Sequence, residues 1–176
     1  MIKKSHQSFS TVGSVLLVLS IVIVAKNVFA DDIQTINDKL AIAAVIAQYS
    51  YTWDSKDAEA FSNLFTDDAV SEVWLPGKSN PFSRTETRQN ILTKAKIAHT
   101  SRLADLQTRH HQSALIFLEI SANSARTQNM VLITHQAPSD KAPVLKYSGI
   151  YKDTWRKTKQ GWRFLHRALY LDPIMQ

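Results

Sequence analysis

From Asp31 onward the apolar positions recur first at helical spacing and later in alternation, so helices are expected before strands. Ile33, Ile36, Leu40, Ala43 and Ala47 form one apolar row, and Ile42, Val45 or Ile46, Tyr49 and Trp53 form a second. Both rows share one helix, which is expected to bury a wide face and to end between Tyr51 and Asp54. Ser55-Lys56-Asp57 breaks it, and Asp57 is placed to cap a short second helix through Phe61, Leu64 and Phe65. Ala69 to Leu75 alternates loosely like a strand, and Pro76-Gly77-Lys78-Ser79-Asn80-Pro81 is a strong loop signal. Ser83-Arg84-Thr85-Glu86 has the form of a capping box that opens a third helix carrying Ile91, Leu92, Ala95, Ala98 and Leu103. The period then changes. Residues 107–120, 125–137, 143–158 and 161–173 read as four strands rich in β-branched and aromatic side chains, with hairpin turns at 121–124 and 159–161. Segregated helices followed by consecutive hairpins indicate an α+β fold. Three N-terminal helices packed on a strongly twisted sheet leave a concave, half-closed interior.

Residues 1–30 stand apart. Lys3 and Lys4 give a positive start, Val15 to Val24 an apolar run, and Val28-Phe29-Ala30 a small-residue exit, the three parts of a secretory signal. The apolar core is shorter than the ~20 residues a membrane-spanning helix needs. Cleavage after Ala30 is therefore expected over retention as a membrane anchor, leaving an exported, periplasmic or secreted protein with no stable membrane span after processing and one domain over residues 31–176; an uncleaved segment would still place the domain on the exported side. Losing residues 1–30 removes Lys3, Lys4 and Lys26 and no acid, so the formal charge falls from +6 to +3. That is too little to argue for nucleic acid, which asks for a concentrated basic face. The chain has no cysteine, which excludes disulfides, a thiolate nucleophile and cysteine metal sites.

On strand 107–120, strict alternation puts Thr108, His110, Gln112, Ala114 and Ile116 on one face and His111, Ser113, Leu115 and Phe117 on the other. Adjacent histidines on opposite faces do not share a metal, and no His-Glu-x-x-His spacing exists. Gly-x-Ser-x-Gly, phosphate-loop and dinucleotide patterns are absent as well. His135 and His166 read as edge or surface residues. Trp155 and Trp162 are placed to pack across the last hairpin, and Tyr151, Asp153 and Trp155 share a face that is either pocket or oligomer contact. Asp54 also reads as a plain turn residue, and Tyr49 as core.

Tyr49-Ser-Tyr-Thr-Trp-Asp54-Ser-Lys-Asp57, followed by Phe61 and Leu64-Phe65-Thr-Asp-Asp68-Ala69, resembles the opening of SnoaL-like domains. Thr108-Arg109-His110, Gly149-Ile-Tyr151-Lys-Asp153 and Gly161-Trp162-Arg163-Phe164-Leu-His-Arg167 extend the resemblance over most of residues 33–173. These domains belong to the group shaped like nuclear transport factor two, with scytalone dehydratase, ketosteroid isomerase, bile-acid dehydratases and the small subunits of ring-hydroxylating dioxygenases. The resemblance implies a cone with a curved antiparallel or mixed sheet, an apolar pocket, and a homodimer or homotrimer. It implies Tyr49, Asp54 and His110 as catalytic residues, with Tyr151, Arg167 and Trp53 around the substrate. The implied chemistry is cofactor-independent proton transfer, a dehydratase or isomerase acting on a small hydrophobic molecule. A carboxylate sheltered in an apolar cone is expected to have a raised pKa. A non-catalytic module holding a small molecule in the same cone is the alternative.

Overall fold

The computed structural model describes residues 12–173, with side chains from Asp32 onward. The charged start of the expected export signal, residues 1–11, lies outside the described residues, as do residues 174–176. The first helix, α1 (Val12–Asp54), crosses the boundary between two units that divide at Asn37 and Asp38. Over its described residues the first unit is helix alone. All that follows concerns the second.

α1 enters this unit with Ile42, Val45, Ile46 and Tyr49 buried. Of the other apolar row expected to join them, Leu40 and Ala47 are exposed within this unit, Leu40 at 65 %. Two rows on one helix cannot both face a single sheet, and the row that continues into Tyr49 and Trp53 takes the core. α1 ends in a Schellman motif, with Asp57 N–H donating to Thr52 O at 2.9 Å and Lys56 N–H to Trp53 O at 3.0 Å. Lys56 takes the left-handed position at φ 61° that glycine usually fills. Asp57 caps α2 (Ala58–Ser62) as expected, accepting from Ala60 N at 2.9 Å.

The sheet has six strands in the order β2-β1-β6-β5-β4-β3. They are β1 (Phe65–Trp74), β2 (Ser83–Glu86), β3 (Gln107–Ile120), β4 (Ser124–Gln136), β5 (Val144–Thr158) and β6 (Gly161–Leu171). The last four form the expected antiparallel meander, while β1 joins β6 in parallel and so makes the sheet mixed. Ser83–Glu86 is the clearest departure from expectation. This segment is edge strand β2, antiparallel to β1, with Arg84 opposite Glu72 and bonded to it. The cap of α3 (Arg88–Thr100) is Thr87, which accepts from Asn90 N at 3.3 Å. Ser-Arg-Thr-Glu alternates polarity as readily as it caps, and a strand partner decides between the two. Leu103, expected within that helix, is buried in the turn after it.

β3 does not alternate strictly. Its register shifts between Ser113 and Ile116, where Ala114 has φ 51°. A bulge exchanges the two faces beyond it. Thr108, His110 and Gln112 point inward as expected, but past the bulge Leu115 and Phe117 pack against the core while Ala114 and Ile116 are exposed. Tyr151, Asp153 and Trp155 all face the interior. Trp155 takes Phe164 as its ring partner at 4.1 Å, and Trp162 instead donates to Asp38 on α1 at 2.9 Å.

Candidate active site

The Schellman turn fixes where the end of α1 meets the start of β3. There Asp54 is buried, and its carboxylate accepts from Thr108 Oγ1 at 2.7 Å, from the His110 backbone N–H at 2.8 Å, and pairs with His110 Nδ1 at 2.8 Å. Gln107 Nε2 donates to the Asp54 carbonyl at 3.1 Å. Burial alone would raise the Asp54 carboxyl, but the His110 ring, Thr108 and the His110 amide outweigh it and hold it below its ordinary value. The expectation of a raised pKa at this residue is therefore corrected. An ionised carboxylate only accepts hydrogen bonds, so His110 Nδ1 carries a proton and donates it to Asp54. Nε2 is left without a hydrogen bond among the described residues.

His110 forms part of the wall of a cavity of about 580 Å³, together with Tyr49, Trp53, Tyr151, Phe61, Ile133 and Leu169. Asp54 is not in that wall. Together with His110, which lines both spaces, it borders a second cleft of about 460 Å³ with Ser50, Gln107 and Arg109. The ring of His110 meets Tyr49 edge-on at 6.1 Å and Trp53 at 6.3 Å. Tyr49 Oη lies 3.5 Å from Tyr151 Oη, and burial raises both phenols, that of Tyr151 strongly. Both stay protonated donors at neutral pH. Behind Trp53 stands His99, buried and edge-on at 4.8 Å, and burial keeps it neutral.

Arg167 is not part of the cavity wall. It is 1 % exposed, and its guanidinium stacks under Tyr49 at 4.0 Å and Tyr151 at 3.6 Å. Its charged partner, missed in the sequence, is Asp153, whose Oδ2 lies 3.5 Å from Arg167 Nη1. Gln112 accepts from Arg167 and from Asn129 Nδ2, and donates to Ser50 Oγ at 2.7 Å. Among the described residues, none donates a hydrogen bond to either carboxylate oxygen of Asp153. Burial pushes its pKa up to about 7, against the opposing pull of Arg167. Sequence offered no local signal for this pair, whose members are brought opposite only by the β5–β6 register. His135, expected at an edge, is half-buried in the cavity wall, while His166 bonds Glu72 at 3.1 Å.

The profile of the SnoaL-like domain matches residues 34–168. The chain belongs to the SnoaL-like domain family. No curated protein matches it by sequence. Among solved structures, this SnoaL-like domain is similar to a protein of unknown function from Mycobacterium tuberculosis, 25 % identical with a TM-score of 0.67, covering 82 % of this chain and 76 % of that one. It is similar to an NTF2-like protein with a cystatin-like fold from Novosphingobium aromaticivorans, 23 % identical with a TM-score of 0.69, covering 81 % of this chain and 87 % of the other. A candidate scytalone dehydratase from the same organism matches at 22 % identity and a TM-score of 0.66, over 79 % of this chain and 87 % of that one. The SnoaL-like domain therefore has the cystatin-like α+β fold, a curved, unclosed six-stranded sheet with the helices gathered ahead of its meander.

Proposed function

We propose that this chain is an exported, cofactor-independent lyase or isomerase that moves a proton on a small apolar substrate, as a dehydratase does. One observation carries the reading: His110 is anchored through Nδ1 to an ionised Asp54 while the same ring faces an apolar cavity. Nε2 is then the basic nitrogen offered to a ligand. It takes a proton from the carbon next to a substrate carbonyl, and the charge passes to the carbonyl oxygen. Tyr49 and Tyr151 are the hydroxyl donors suited to that oxygen. A hydroxyl on the next carbon leaves with the proton His110 holds, giving water and a conjugated double bond; without that hydroxyl, the proton returns elsewhere and the double bond migrates. Asp54 acts through His110 as a positioning residue. At the level of fold, the likeness to a candidate scytalone dehydratase supports the same choice.

Export rests on the charged start, apolar run and Val28-Phe29-Ala30 exit of the sequence. A homodimer or homotrimer is supported by Ile116, Leu118, Met130 and Leu132, exposed on the outer side of β3 and β4. The test of the chemistry is a panel of cyclic β-hydroxy ketones in deuterium oxide, read by mass spectrometry for water loss and for deuterium uptake beside the carbonyl. His110→Gln is expected to lower both rates by roughly 10²–10⁴. Tight binding of these ketones with no exchange in the native protein would leave the non-catalytic binding module in its place.

A further inference from the structure

The 580 Å³ cavity carries a charge pattern that the Asp54–His110 pair does not account for. Its wall includes Lys94, Arg102, His110 and His135 and contains no Asp or Glu. Lys94 comes from α3 and Arg102 from the turn after it. Both are exposed, as are Phe82 and Tyr147, whereas Tyr49, Phe61 and Tyr151 are buried. The cavity thus has an apolar and phenolic floor and a cationic rim.

Neither rim cation has a carboxylate partner among the described residues. Lys94 Nζ is held by the hydroxyls of Ser83 and Thr85, the latter at 3.1 Å. Arg102 makes no hydrogen bond or ion pair among the described residues. Elsewhere Arg88, Lys96, Arg126 and Arg156 each reach an acid, within 2.6 to 2.8 Å; Lys78, Arg109, Lys146 and Lys159 also lack one among the described residues, but none of these lines the cavity. At the rim the cations act on one another instead. Lys94 is exposed, yet partial desolvation and then the charge of Arg102 hold its ammonium below its ordinary range; His135 is held down by desolvation first and then by Lys146, His110 and Arg102. An oxyanion seated between them would relieve that repulsion and complete the unfilled donors of Arg102.

We propose that the ligand of this cavity is an amphipathic carboxylate, its apolar body on the floor and its single carboxylate held by Lys94 and Arg102. This deepens the reading above and rests on the cavity being the substrate site, not on proton transfer. With its anionic end fixed at the rim, the rest of the molecule is directed toward Tyr49 and His110. Phosphate and sulfate esters share the oxyanion chemistry, and the titration below separates them from the carboxylate.

The test is isothermal titration of the protein with naphthalene-2-acetate, its neutral amide and 2-naphthyl phosphate, at low ionic strength and about pH 8, where unperturbed histidines are neutral. The acid is expected to bind about tenfold tighter than the amide, an advantage that shrinks as salt is added. A Lys94→Met, Arg102→Met double variant is expected to lose that advantage while binding the amide as before, with its melting temperature confirming the fold. Equal affinities for acid and amide, an advantage that survives the double substitution, or no binding of either compound would overturn the proposal. Tighter binding of the phosphate than of the acid would overturn the carboxylate assignment. His110→Gln is expected to keep the acid's advantage, so failure of the proton-transfer reading is seen separately as unchanged exchange in that variant.

Discussion

Two buried aspartates stand on either side of Tyr49, and they are opposites. Asp54 has its carboxylate bonded by Thr108, the His110 amide and the His110 ring, and is held below the usual carboxylate range. Asp153 is 3 % exposed, receives no hydrogen bond among the described residues, makes a long contact to Arg167, and is pushed up to about 7. Burial is common to both, so burial does not decide the charge. What decides it is the number of donors that reach the oxygens: where several converge the ion survives desolvation, and where one cation stands at 3.5 Å it barely does. Asp54 is thereby fitted to orient a histidine. Asp153 is fitted to neutralise a buried arginine under two phenols, near the point where it takes up a proton itself.

Asparagine is nearly the shape of aspartate without the charge, so it separates the two sites most strongly. Asp54→Asn is expected to lower turnover by roughly 10²–10⁴, because His110 loses the acceptor that sets its tautomer. Asp153→Asn is expected to cost less than about tenfold, since it resembles the protonated form and stands outside the cavity wall. Comparable losses in steady-state kinetics would erase the distinction.

The pH dependence of stability gives the next largest contrast, with opposite signs. An unfolded Asp releases its proton near 3.9, while folded Asp153 keeps one up to about 7. In that window the folded chain binds the extra proton, so the contribution of Asp153 to stability falls as pH rises, by at most about 1.4 kcal/mol per pH unit. Asp54 contributes stability that is fully present above the ordinary carboxylate range and is lost as pH falls through its lowered value. Urea titrations across acid to neutral pH are expected to show the native protein losing its advantage over Asp153→Asn on going toward neutrality. Its advantage over Asp54→Asn disappears only in strong acid. The smallest effect belongs to Thr108→Val, which removes one donor to the Asp54 carboxylate and leaves the rest; a loss of about 1–3 kcal/mol by chemical denaturation is expected.

The legible parts of the chain were those whose cause is local. Strands β3 to β6 fall within a residue or two of their expected bounds, because β-branched and aromatic residues fill them, turn residues separate them, and Gly161 at φ 98° closes the last hairpin. The Asp57 cap was legible for the same reason. Leu40 misled because periodicity shows that a helix has an apolar row without showing on which side the sheet lies. The bulge at Ala114 sent Leu115 and Phe117 inward with no glycine or proline to announce it. Asp54 and His110 could be paired through family resemblance, but the direction of the Asp54 shift depends on donors from residues 108 and 110 that only the folded helix end meets. Asp153 and Arg167 lie on neighbouring strands in an otherwise ordinary pattern, so their pairing became visible only with the sheet.

The nitrogen chemical shifts of the His110 ring bear on the centre of all this. Labelled protein at neutral pH is expected to show Nδ1 protonated, whether or not Nε2 carries a second proton, because the carboxylate behind it can only accept. A ring with a bare Nδ1 and its sole proton on Nε2 would mean that Asp54 is not the ionised anchor, and the proposed use of His110 would fall with it.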